Sequence, residues 1–296
     1  PGVYTIIISG EDIHNLEFAY NDKLCPELKN IYSWGKMGYK NAANMCKGCI
    51  NLESIPADVA GSFSEVGSFV AAFLGCEKLK EIPEGLFQHA AKAKKFANCF
   101  RYTTSISSIP ENLFANNPLA EEFYHAFYGT GTDFAINDEA LKINAGNYLN
   151  SYPAELEKAI GYGNLRSVPE GLFANCPNAT RFEYIFAATA IEAIPEKLFA
   201  NNSAATNYEG VCYACTNLKS IPADLMKKAT SALNIKYMFA GCTSLTEVPA
   251  AMFRVYTHDG KEYDAKYIAG DQVSDLAVLK IESGEFTPAN FGNSDE

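Results

Sequence analysis

"IPENLFANN" at residues 109–117 returns as "VPEGLFANC" at 168–176 and as "IPEKLFANN" at 194–202. The proline of this phrase, each time after Ile or Val, stands at Pro56, Pro83, Pro110, Pro169, Pro195, Pro222 and Pro249, at intervals of 27, 27, 59, 26, 27 and 27 residues. Other columns keep step. Four residues before the proline stand Leu52, Leu79, Ile106, Leu165, Ile191, Leu218 and Leu245. Four after it Phe87, Phe114, Phe173 and Phe199 recur. Thirteen and seventeen after it come Phe69 and Phe73, Phe96 and Phe100, Phe123 and Phe127, and Phe182 and Phe186. Each unit thus has an apolar face too small to bury alone. Stacking the units buries all the faces in one continuous core, which is the logic of a solenoid. Each phenylalanine removed from water contributes up to about 3 kcal/mol.

The spacing predicts local structure. Proline suits the first position of a helix, and the Glu after it (Glu84, Glu111, Glu170, Glu196) suits the positive helix end. "PEGLF" reads as a short helix that "ANN" or "ANC" ends, because Asn tolerates the left-handed conformation. A Phe pair four apart, as in "FEYIF", reads as a second short helix. The "L-x-x-I" before each proline reads as an extended rung, with "ATRF" and its equivalents as the alternative strand. The expected fold is an α/β repeat. It is a right-handed, leucine-rich-repeat-like solenoid of about eight 27-residue units with short helices and short strand rungs.

The ends break the pattern. Residues 1–40, with "VYTIIIS" at 3–9, read as an N-terminal cap with a strand, and 41–253 as the solenoid. Residues 254–296 read as a C-terminal cap with a polar tail, where Asp259-Gly260 signals a hairpin. The long interval reads as two repeats plus five residues, with a degenerate repeat at 134–165 that includes a longer helix in "SYPAELEKAIG". That stretch is either drift in a surface loop or a binding insertion.

Composition narrows the function. A net charge of −11 repels phosphate backbones, so no nucleic acid partner is expected. No apolar run reaches the roughly 18–20 residues that span a bilayer. The chain starts at Pro1 and shows no signal peptide, so it reads as a mature or trimmed chain. "CKGC" (Cys46, Cys49) and "CYAC" (Cys212, Cys215) look like zinc half-sites. Both fall on the repeat, where Cys49, Cys76, Cys215 and Cys242 share a slot with Thr103 and Thr130, so small buried side chains explain them. The four histidines are scattered, and no G-x-S-x-G, P-loop or H-E-x-x-H occurs. No catalytic residue, metal or cofactor is expected. "NAT" at 178 and "NNS" at 201 match glycosylation acceptors inside the turn phrase.

"MFAGCTSLTEVP" at 238–249 and "IYSWGKMGYKNAANMCKGCINLESIP" at 31–56 resemble the BspA-like leucine-rich repeats of secreted surface proteins of gut Bacteroides. The resemblance spans about residues 30–253. It implies extracellular or bacterial cell-surface display, often through a lipid-anchored N-terminus upstream, and adhesion to a host protein or glycan. The expected function is a non-enzymatic, adhesin-like recognition scaffold. The alternative is a structural or assembly module of a bacterial cell-envelope complex. If each Phe pair faces the core, the residues beside it face outward: Arg101, Tyr102, Tyr124, Tyr128, Tyr184, Tyr213 and Tyr237. This stripe is either a ligand-binding surface or half-buried tyrosine covering neighbouring rungs.

Overall fold

The computed structural model describes residues 5, 7–8, 13–18, 24–131, 163–249, 254–256, 261–271 and 276–281. The chain divides into two compact units, Pro1–Glu247 and Val248–Glu296.

In the first unit each repeat is one coil, numbered below from its proline as position 0. The N–H groups at positions 13, 15, 17 and 19 leave the coil and donate to carbonyls of the next one. From the coil of Pro83, Phe96, Asn98, Phe100 and Tyr102 donate to Glu122, Tyr124, Ala126 and Tyr128 at 2.8–3.0 Å. The same four bonds join every successive pair of coils, from Ala42 bonding Ser68 to Ala214 bonding Ala240. The N–H groups between them close turns within the coil: Cys99 on Phe96, Arg101 on Asn98, Thr103 on Phe100.

This alternation rules out the short helix expected at the Phe pair; at "PEGLF" the chain makes single turns, such as Leu86 on Pro83 and Leu113 on Pro110, and no helix occurs among the described residues. A helix needs every N–H for its own turn, and here every second one is used across coils. The phenylalanines instead open turns whose third residue has positive φ, the mark of a type II turn. Asn98 (φ 56°) and Tyr102 (φ 58°) hold these places in one coil, and His125 and Gly129, then Tyr184 and Ala188, hold them in the next two. The expected strands reduce to single parallel bridges at position 12, such as Lys95 to Glu122 and Arg181 to Asn207, and before the proline, Ala193 to Ser220.

Three aromatic columns fill the core. Phe96 stacks on Phe123 at 5.5 Å and Phe123 on Phe182 at 5.7 Å. Phe100 stacks on Phe127 at 5.6 Å, and Phe87 on Phe114 at 5.8 Å. All are fully buried. Such pairs add about 0.5–1.5 kcal/mol each to the gain from burial.

Two polar columns lie inside this core. The last Asn of "ANN" does not end a helix in the left-handed conformation. Asn117 and Asn202 have ordinary φ and are fully buried. Their side-chain amides donate to the preceding coil, Asn117 to Phe87 and Ala90 and Asn202 to Phe173 and Cys176. At position 20, Cys and Thr replace one another because both carry a donor. Cys76 donates to the Cys46 carbonyl (3.1 Å), Thr130 to Phe100 (2.7 Å), Cys215 to Phe186 (3.0 Å) and Cys242 to Cys212 (3.0 Å). Each reaches back one coil. On the surface, Lys80–Glu53, Lys92–Glu65 and Lys219–Glu192 pair residues 27 apart at 2.6 Å. They lie at the surface, where water and salt screen the charges, so they add little to stability.

The long interval holds no coil between its neighbours. Phe123, His125, Phe127 and Gly129 donate directly to Arg181, Glu183, Ile185 and Ala187. Asn164 N–H meets the Gly131 carbonyl at 2.6 Å. The degenerate repeat expected at 134–165, with the helix expected within it, lies outside the described residues up to residue 162. Seven coils stand among the described residues. Of the strand expected at 3–9, only Thr5, Ile7 and Ile8 are described, none of them in a strand.

The second unit is a three-stranded antiparallel sheet of β1 (Arg254–Tyr256), β2 (Glu262–Asp271) and β3 (Leu276–Ile281), in the order β1-β2-β3. β1 and β2 pair with Val255 opposite Tyr263, and the Asp259-Gly260 turn expected between them lies outside the described residues.

Replacing residues 133–161 with a short Gly/Ser linker should leave one cooperative unfolding transition, with a change in stability of about 1 kcal/mol or less. Denaturant unfolding checks this. Loss of the transition would mean that the segment supports the stack.

Candidate functional site

Positions 12, 14, 15, 18 and 19 border the buried Phe pair, and their side chains form one polar-aromatic band across successive coils. At one end the Arg101 guanidinium lies between two rings, 4.8 Å from Tyr102 and 4.7 Å from Tyr128. It also donates to the Tyr102 hydroxyl (3.1 Å) and to Asn98 Oδ1 (3.2 Å). Arg181 lies 4.4 Å over Tyr124 and donates to Glu183 Oε1 at 2.8 Å, as does Asn207. His125 stacks flat on Tyr184, with 5.4 Å between centroids and 4° between planes. The Tyr184 hydroxyl donates to Glu209 Oε1 (3.0 Å), and Asn234 donates to Glu209 Oε2 (2.8 Å). Tyr213 meets Tyr184 edge-on at 5.9 Å.

The seven residues of the expected stripe fall into three classes. Arg101, Tyr102 and Tyr128 are buried. Tyr124, Tyr184 and Tyr213 are half-buried. Tyr237 is 60% exposed. Two of the rings lie along the stack over the next coil. A Cβ on Gly129 would come within 2.8 Å of the Tyr102 ring, and one on Gly210 would collide with the Tyr184 ring. These glycines have φ of 63° and 58° and serve as floors for the tyrosines.

Sequence reasoning passed over His125, Arg181, Glu183, Asn207 and Glu209. Their signal was the column: each sits at position 12, 14 or 15, beside the phenylalanine at 13. Burial first, then the charges of Arg101 and Arg181, pulls the His125 pKa down to about 3. Its Nδ1 is buried without a hydrogen-bond partner, so the ring is held neutral. Burial and the Glu209 carboxylate push the Tyr184 phenol up. Among the described residues no cluster of three His, Cys, Asp or Glu is placed to hold a metal ion. Elsewhere, an open groove of about 1200 Å³ runs past Asn116, Pro118, Asn175, Pro177 and Asn201.

No family model matches the chain, and no curated protein matches it. Among solved structures it is similar to a chain of the Toll–Spatzle complex, described as a molecular hub in Drosophila development and innate immunity. The identity is 12% and the TM-score 0.16, over 71% of this chain and 39% of that one. The chain thus spans less than half of that protein's length, and so slight a likeness fixes neither fold nor function. Among the described residues no helix is long and apolar enough to cross a membrane.

Gly210→Ala should cost at least about 2 kcal/mol, from left-handed strain and the Tyr184 clash together. In a Tyr184→Ala background the same change should cost about half as much. Additive losses in a double-mutant cycle would show that the ring does not press on Gly210.

His125 also makes stability depend on pH. The unfolded chain takes up a proton near pH 6.5 that the folded chain refuses until about pH 3. Stability is therefore full above pH 6.5 and declines as pH falls through that window. The melting temperature should drop between pH 7 and pH 5 in wild type, and drop less in His125→Asn, whose side chain tolerates the positive φ. Parallel melting curves for the two proteins would refute this assignment.

Proposed function

We propose that this chain is a non-enzymatic recognition scaffold. In this reading it is a right-handed, leucine-rich-repeat-like solenoid of the BspA-like kind, displayed at the bacterial cell surface or secreted. It binds a host protein or glycan. One observation supports the reading most: backbone bonds between coils fix the side chains at positions 12, 14, 15 and 18 in a continuous row. The surface is set before any ligand arrives, so binding orders little further. The accessible parts of Tyr124, Tyr213 and Tyr237, with Glu209 and Asn234 beside them, combine flat apolar area with hydrogen-bonding groups. That combination suits sugar rings and protein surfaces alike.

The second reading, a module of cell-envelope assembly, draws on the last coil. There Leu233 is 86% exposed and Ile235 56%, next to Tyr237.

Capture of extracellular-matrix proteins and mucin glycans separates these readings. Wild type should retain one of these ligands. A Tyr124/Tyr213/Tyr237→Ala variant with an unchanged melting temperature should lose at least about tenfold in affinity, the roughly 1.4 kcal/mol of one lost aromatic contact. No capture by the wild-type protein would end the adhesin reading.

A further inference from the structure

Cys49 heads the column of Cys and Thr at position 20, and among the described residues no coil precedes its own. At Cys76, Thr130, Cys215 and Cys242 the thiol or hydroxyl of this column reaches back to a carbonyl of the coil before. On that side of the Cys49 coil lie Ile13, Phe18 and Cys25, whose N–H groups donate to Met37, Met45 and Gly48 at 2.7, 2.9 and 3.0 Å. The bond from Cys25 to Gly48 sets the Cys25 backbone beside that of Cys49, the close backbone approach that a disulfide needs. Cys49 is also the first neighbouring group that acts on the Cys25 thiol. Cys25 is half-exposed, whereas Cys46, Cys49 and Cys76 are fully buried.

We propose that Cys25 and Cys49 form an intramolecular disulfide by exchange with an organic disulfide. Cys25 is the entry point because it is the thiol of this group that solvent reaches. It loses its proton to water, and its sulfur attacks the organic disulfide. The S–S bond of the reagent breaks, one thiolate leaves and takes up a proton, and a mixed disulfide remains on Cys25. Cys49, on the adjoining backbone, loses its proton and attacks the Cys25 sulfur. The mixed bond breaks and the second thiolate leaves. Two protein thiols are oxidised, and one organic disulfide is reduced to two thiols. The bond ties residues 13–25 to the first coil, and the pairing holds whatever ligand the stack binds.

Burial, with the nearby Cys49, raises the Cys25 pKa to about 11. Thiolate is therefore scarce at neutral pH, and the first step should quicken about tenfold per pH unit between 7 and 9.

The test uses the reduced full chain, glutathione disulfide, alkylation of the remaining thiols and peptide mass spectrometry. Nine alkylatable cysteines should fall to seven, with one cross-link joining Cys25 to Cys49. The denaturation midpoint should rise with it. Cys25→Ser should keep eight free thiols, gain no cross-link and show no rise. Cys49→Thr, which places in this column the residue found at Thr103 and Thr130, should stop at a glutathione adduct on Cys25. Nine free thiols in treated wild type, a lasting Cys25 adduct without the cross-link, or a Cys46–Cys49 bond would each overturn the proposal.

Discussion

Every coil of the first unit depends on one division of labour among its backbone N–H groups. Around the Phe pair, alternate groups close turns within the coil and bond the coil that follows. Backbone donors in a buried segment must find acceptors, and this alternation satisfies them without helix or extended strand. It also fixes the aromatic core. Because the bonds advance one coil at a time, Phe96, Phe123 and Phe182 stack nearly face to face. The columns of Asn117 and Asn202, and of Cys and Thr at position 20, stay buried because the same register brings a carbonyl within reach.

The period and the apolar columns were legible because burial leaves its mark on residue type. From Phe69 to Phe199 every phenylalanine read as core in the three columns is buried, whereas Phe239 in the last coil is only half-buried. Backbone conformation was not legible. The Phe pair four apart fits a helix face and also fits two type II turns in series. The usual warning of such turns is Gly or Asn at the third place, and it is blurred where Ala71, His125, Tyr184 and Tyr237 stand there with positive φ. The buried Asn of "ANN" misled for a related reason. Asn has two common uses, as a left-handed residue and as a side-chain amide, and the sequence does not say which operates. The long interval divides almost evenly into two periods, which hid the direct bonding of the coils on either side.

The outward stripe was half legible. Its positions border the Phe pair, as reasoned, but its direction along the stack was not foreseen. Tyr102 and Tyr184 each lie over a glycine one coil on, so a long side chain at these places covers backbone as well as facing solvent. What the sequence scattered, the register gathers. His125, Tyr184 and Glu209 come from three coils and meet as a stacked ring, a phenol and its acceptor. No spacing within one repeat would have joined them.

The one-way bonds give the stack an electrical sense. At positions 13–19 every peptide that crosses a junction points its N–H toward the C-terminal coil and its C=O toward the N-terminal one. Fewer bonds run backward, such as Leu233 to Thr206 and Lys219 to Glu192. In an ordinary sheet these moments alternate and cancel. In an α-helix they add and leave the N-terminus positive. Here they add in the opposite sense, so positive potential gathers where the chain leaves the stack. A chain of net charge −11 thus keeps one pole that favours anions.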